Sequence, residues 1–187
     1  MNINIRSILA FKNISESAVS QIKQDAEIIS YKMGFPICKK DFIPNKVLFI
    51  LSGEARFIHS ENNISSSIAK LVSDDFIGLS SILCAKGCES VQASKDLLAL
   101  ALSDELILKL YENESEFRNF CTQKVSIAEA YNLSIFFHKN SSRGNLELKS
   151  SVKIIIENSK IITIKNNELI QSNINFLNIN IGGNIID

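Results

Sequence analysis

An excess of charge is the first thing this sequence lacks: 20 basic residues stand against 20 acidic ones, for a formal net charge of +0 at pH 7. Without a net positive field, nothing general draws the chain onto nucleic acid or anionic lipid. Long apolar runs are missing too. None reaches the roughly 18 residues that cross a bilayer, and Met1 to Ala10 is too polar for the apolar stretch of a secretory signal. A cytoplasmic location is therefore expected, with no direct insertion of this segment into a membrane. Cysteine is scarce and scattered: Cys38, Cys84, Cys88 and Cys121 are too few for a disulfide scaffold and read as reduced thiols.

The means of catalysis are also thin. The 7 glycines are dispersed apart from Gly182-Gly183, and no Gly-x-x-x-x-Gly-Lys-Ser/Thr phosphate loop occurs. A nucleophile needs a base and an orienting group, and no Cys/His or Ser/His/Asp signature surrounds either histidine, His59 after a strand or His138 at a helix end. Cys84 and Cys88 are spaced like a metal pair, but no further Cys or His close by in sequence completes a tetrahedral set, so both read as buried structural thiols. The expectation is a non-enzyme without metal or cofactor.

What is present is an ordinary globular composition, 45% apolar over 187 residues, enough for one domain with a substantial core plus a smaller appendage. Ser15 reads as an N-cap, with Ile14 placed to staple against Val19, predicting a helix to about Ala26 with Val19 and Ile22 facing the core. From Glu27 to Leu102 short apolar stretches alternate with Gly, Pro, Asn and Asp: Ile28-Ile29, Val47 to Leu51, Ala55 to Ile58, Ile68 to Val72 and Leu97 to Leu102. That spacing predicts a β-roll or sandwich. Ser103-Asp104-Glu105 then caps a helix carrying Leu106, Ile107 and Leu110. Between Glu114 and Lys139, Phe117, Cys121, Val125, Ala128, Tyr131 and Ile135 recur at spacings of three or four, predicting one longer helix packed on the roll. Ser141 to Asn145 has loop composition and marks the boundary between residues 1–140 and a β-rich linker or partial unit, 141–187, with strand-like stretches at Val152 to Ile156 and Ile161 to Ile164. The ending Gly182 to Asp187 looks like a cut.

This order of elements, with particular residues, resembles the cyclic-nucleotide-binding domain. Met33-Gly34-Phe35-Pro36-Ile37 is similar to that family's first glycine turn, and Val47 to Arg56 to its strand, glycine turn (Gly53) and returning strand. Asp74 to Leu83 looks like the turn that opens the phosphate-binding cassette, a short helix whose amides face the ligand. The resemblance covers about Phe11 to Lys139 and implies a mainly β fold with flanking helices, a jelly roll, ahead of the short β-rich tail read over 141–187. It also implies a binding site at Gly78, Leu79, Ser80, Ser81, Lys86 and Cys88, but in degenerate form. Leu79 stands where the family has a Glu for the ribose, and Gly87-Cys88 falls where it has an Arg for the cyclic phosphate. Only Lys86 is near as a cation, and it lacks the planar fork of Arg. The variant cassette, the stretch Cys88 to Ser94 and the ending Gly182 to Asp187 further resemble the N-terminal cytoplasmic domain of bacterial peptidase-containing ABC exporters. That resemblance implies a regulatory or docking role against other domains of the exporter, with homodimer contacts through 114–139. A small-ligand or cyclic-nucleotide sensor using the same pocket is the alternative. DNA binding is not expected, because the segment after Ser151 is nearly free of Arg where related regulators append a helix-turn-helix.

Overall fold

The structure, a computed structural model, describes residues 3–123, 125–139, 145–159 and 161. Two short 3-10 turns lead into α1 (Glu16–Asp25), and eight strands follow, interrupted once by a helix: β1 (Glu27–Tyr31), β2 (Pro36–Cys38), β3 (Lys46–Ser52), β4 (Ala55–Glu61), β5 (Ile64–Leu71), β6 (Phe76–Ile77), α2 (Leu79–Leu83), β7 (Val91–Ala93) and β8 (Leu97–Ser103). Helices α3 (Asp104–Asn113), α4 (Ser115–Thr122), α5 (Ile127–Lys139) and α6 (Asn145–Asn158) complete the described chain. The strands form two four-stranded antiparallel sheets, β1-β8-β3-β6 and β2-β7-β4-β5, so consecutive strands repeatedly cross between sheets and roll the chain up.

The two apolar runs show why. Val47 to Ile50 in β3 and Leu97 to Leu102 in β8 do not alternate with polar residues, because the sheet they form is covered on both faces. Val47, Phe49, Leu100 and Leu102 join a core with α1, α3 and α4, in which Phe11 lies 4.6 Å from Phe49 and 5.8 Å from Phe117, centroid to centroid. Leu48, Ile50, Leu97, Ala99 and Ala101 face the other way, into the roll interior, with Phe57, Ile68 and Val91 of the second sheet. In β4 the second sheet does alternate: Ala55, Phe57 and His59 are buried, Arg56 and Ile58 only partly.

Local chemistry sets the turns. At Gly53 φ is +97°, and a Cβ there would sit 2.2 Å from the Asp96 carbonyl oxygen, so only glycine fits. Next to it Glu54 is buried and accepts from the Ser94 hydroxyl (2.7 Å) and Lys70 Nζ (3.1 Å), which hold its carboxyl down at about 2 and tie the β3–β4 turn to the turn before β8. Asn62 and Asn63, both at positive φ, make the tight β4–β5 hairpin.

Both predicted caps are in place: Ser15 Oγ accepts from Ala18 N–H at 3.2 Å and Ser103 Oγ from Leu106 N–H at 3.3 Å. Two expectations are corrected. The single helix over 114–139 is two helices, α4 and α5, because its stripe serves two cores: Phe117 packs in the helix-side core, while Ala128 and Tyr131 pack in the roll interior. The second helix has its own start, a capping box in which Ser126 Oγ accepts from Glu129 N–H (3.2 Å) and the Glu129 carboxylate accepts from Ser126 N–H (2.7 Å). The strand expected over Val152 to Ile156 is part of helix α6. Leu148, Val152 and Ile155, spaced four and three apart, form the face that packs into the roll interior, while Ile154 is 60% exposed, so the alternation of apolar residues was a helical pattern read at the wrong period. The stretch Ile161 to Ile164 and the ending Gly182 to Asp187 lie outside the described residues, apart from Ile161.

Candidate functional site

Strand β6 pairs with β3 through Leu48↔Ile77 and Phe49↔Phe76 and delivers the chain to Gly78. Its φ is +90°, and an added Cβ would meet Pro44 Cγ at 2.9 Å and Lys46 O at 3.0 Å, so glycine is required for both reasons. Helix α2 starts immediately after. Leu79, 2% exposed, belongs to the helix-side core with Phe11 and Phe49 rather than to the wall of a ligand pocket.

The groups that would hold a ligand already have partners within the chain. Glu89, 5% exposed, accepts from the Gly78 N–H and the Ser80 N–H, and its carboxyl also meets the Ser80 hydroxyl. Burial pushes this carboxyl up to about 7 against the pull of the two amides. Ser80 Oγ donates to Ser126 Oγ at 3.0 Å. Ser81, fully buried, accepts from Cys88 N–H at 3.2 Å, with Cys88 Sγ 3.3 Å from its hydroxyl. Lys86, the one cation the sequence offers here, is exposed on the turn after α2, with its own N–H on Ser81 O at 3.0 Å.

At the position where the resemblance called for Arg, a Cβ on Gly87 would lie 2.3 Å from Lys40 O and 2.6 Å from Phe42 N. The turn ahead of β3 therefore seals that side with backbone, leaving no room for any side chain at 87. From α5, Tyr131 closes the roll: its hydroxyl is 2.7 Å from His59 Nδ1, its ring 5.1 Å from that of Phe57, and Lys40 Nζ lies 5.5 Å above it. His59 is thus a buried residue within β4, not one following it.

Of the expected site residues, the structure brings Gly78 and Ser80 to Glu89, pairs Ser81 with Cys88, buries Leu79 elsewhere and leaves Lys86 outside. Burial pushes the Cys88 thiol up to about 11 and the Cys38 thiol to about 12, which keeps both protonated at neutral pH. Cys84 is exposed, a correction to its reading as a buried thiol: as the C-cap of α2 it lies past the helix's packed face. Among the described residues no group of three or more His, Cys, Asp or Glu could hold a metal ion, and no helix is long and apolar enough to cross a membrane. Two clefts among them lie away from the cassette, one of about 200 Å³ over Arg56, Ser66 and Gln92 on the second sheet, the other of about 210 Å³ between α1 and α3. Sequence reasoning missed Glu89, Tyr131 as the partner of His59, and Ser126. Only the last had a local signal, the capping pattern Ser126-Ile127-Ala128-Glu129.

No protein-family model and no curated protein matches the sequence. Solved structures do. A regulatory subunit of a cAMP-independent protein kinase A from Trypanosoma brucei is similar over 71% of this chain and 48% of that one, with TM-score 0.59 and 12% identity. The corresponding subunit from Trypanosoma cruzi, bound to guanosine, is similar over 73% and 48%, with TM-score 0.60 and 11% identity. A putative cyclic nucleotide-binding protein from Geobacter metallireducens is similar over 74% and 98%, with TM-score 0.53 and 16% identity. The chain spans about half the length of the trypanosomal subunits. At these identities the likeness is one of fold: two four-stranded antiparallel sheets with flanking helices, the architecture of cyclic-nucleotide-binding domains.

Proposed function

We propose that this chain is a non-catalytic regulatory or docking domain of the cyclic-nucleotide-binding superfamily that does not respond to cyclic AMP or cyclic GMP. The observation that carries this reading is Glu89, whose carboxyl takes the Gly78 and Ser80 amides that a cyclic phosphate would need. An incoming phosphate would have to expel a buried carboxyl and would find no guanidinium to replace it, since backbone fills the space around Gly87. Charge-assisted contacts are worth about 1.5–3 kcal/mol each, so losing two of them weakens binding by a hundredfold or more. Calorimetric titration of the full chain should give affinities weaker than about 100 μM for both nucleotides. Micromolar binding of either would overturn the reading.

The resemblance of the cassette and of Cys88 to Ser94 to peptidase-containing ABC exporters supports placing this domain in the cytoplasmic N-terminal part of a peptide or toxin exporter. Its partners would then be other domains of that exporter, or a second copy meeting it through 114–139. A coding sequence that runs on into a cysteine-peptidase, a membrane domain and an ATPase is the expected result. A coding sequence leading into none of these would remove the exporter from the proposal and leave the domain reading standing.

A further inference from the structure

The hydroxyl of Ser80 has one proton and two oxygen neighbours. One is the buried carboxyl of Glu89, and the other is Ser126 Oγ, to which Ser80 donates at 3.0 Å. Ser126 is the N-cap of α5, joined to Glu129 by the reciprocal bonds of the capping box. Glu89, held by the Gly78 N–H one residue before α2, thus lies against Ser80, and hydrogen bonds run from Ser80 through Ser126 to Glu129, connecting the interior of the cassette to the first turn of the helix that closes the roll. One turn further on, Tyr131 anchors the same helix to His59.

The proton on Glu89 sets the direction of this path. While Ser80 spends its proton on Ser126, its lone pairs face Glu89, which suits a carboxylic acid that can donate and opposes a carboxylate that can only accept. An ionised Glu89 draws the Ser80 proton to itself, because a hydrogen bond to an ion is about twice as strong as one between neutral groups. Ser126 then loses its donor. The ionisable groups sharing these surroundings are the Cys38 thiol from β2, the Cys84 and Cys88 thiols on either side of the turn after α2, and the Glu129 carboxylate from α5; Lys86, exposed, acts on Cys84. None of them supplies a buried cation to hold Glu89 ionised.

We propose that Glu89 and Ser80 form a proton-operated latch on helix α5: with Glu89 protonated, Ser80 holds Ser126 and seats the first turn of α5 on the cassette, and loss of that proton turns Ser80 to Glu89 and frees the turn as far as the Tyr131 anchor. The latch rests on the reading of the cassette as closed on itself. Because burial moves the Glu89 titration close to neutrality, the exchange falls where a modest change of pH operates it.

The test is amide NMR and hydrogen exchange on the full chain without any ligand, from about pH 5.5 to about pH 8.5, so that it is independent of nucleotide titration. In the wild type the amide signals of Ser126 to Ala130 should follow the Glu89 carboxyl with one shared midpoint, and their protection factors should fall up to about tenfold as it ionises. Glu89→Gln, whose amide can accept from Gly78 and donate to Ser80, should hold the turn protected at every pH. Ser80→Ala should leave the Glu89 titration in place while Ser126 to Ala130 no longer respond to it. Amides that stay fixed while Glu89 titrates in the wild type would overturn the latch. So would a pH response that survives Glu89→Gln, a comparison that suffices even if Ser80→Ala does not fold.

Discussion

Glu89 gives the sharpest stability prediction. Burial raises its carboxyl from the ordinary 4.5 to about 7 in the folded chain. The native state therefore binds the proton more tightly than the unfolded state, so the sign is the reverse of that for a salt-bridged carboxylate: the acid is tolerated in full below pH 4.5, and stability falls as pH rises through the window from 4.5 to about 7. The gap between those values is worth about 3 kcal/mol at its upper end, and relaxation of the Gly78 and Ser80 amides around the ion lowers it, giving a working range of about 1–3 kcal/mol. Gln at this position keeps an oxygen for the Gly78 N–H and carries no charge. Glu89→Gln should match the wild type at about pH 5 and exceed its stability by about 1–3 kcal/mol at about pH 8. Urea unfolding of both proteins across that range measures the difference directly, since the titrations of all other groups cancel between them and an unchanged m-value licenses comparison of midpoints. A difference that does not vary with pH, or one that grows toward acid, would refute the argument that ionising this buried carboxyl costs stability.

Two further substitutions test the supports of the site and of the fold. Tyr131→Phe removes the hydroxyl 2.7 Å from His59 Nδ1 and leaves a buried ring nitrogen without its partner, for an expected loss of about 1–3 kcal/mol in denaturant unfolding; an unchanged midpoint would mean that the bond contributes nothing. Gly53→Ala puts a methyl where the Asp96 carbonyl oxygen would be 2.2 Å away, on backbone at φ +97°, and should cost more than about 1 kcal/mol. Equal melting temperatures for the two proteins would show that the turn can shift to accept it.

Local sequence determined the elements whose instructions are local. Ser15 and Ser103 bring their own acceptors for helix amides, so α1 and α3 begin where the sequence places them. The runs Val47 to Leu51 and Leu97 to Leu102 are apolar on consecutive positions, short and bounded by turn residues such as Gly53 and Asp96, a pattern that suits strands covered on both faces, and β3 and β8 are such strands. The departures at Leu79 and Gly87 from the cyclic-nucleotide pattern were legible in the same way, as missing charges. Tertiary structure decided what depends on residues far apart in the chain. The stripe on 114–139 carried no sign that Phe117 and Tyr131 belong to different cores, and Val152, Ile154 and Ile156 fit a strand until Leu148 and Val152 are seen packing into the roll. Above all, a glutamate between Cys88 and Ser90 reads as an ordinary polar residue of a turn. It becomes the centre of a buried polar cluster only when the roll brings Gly78 and Ser80 to its carboxyl and buries all three, because burial and proximity of amides are properties of the folded chain and not of any stretch of it.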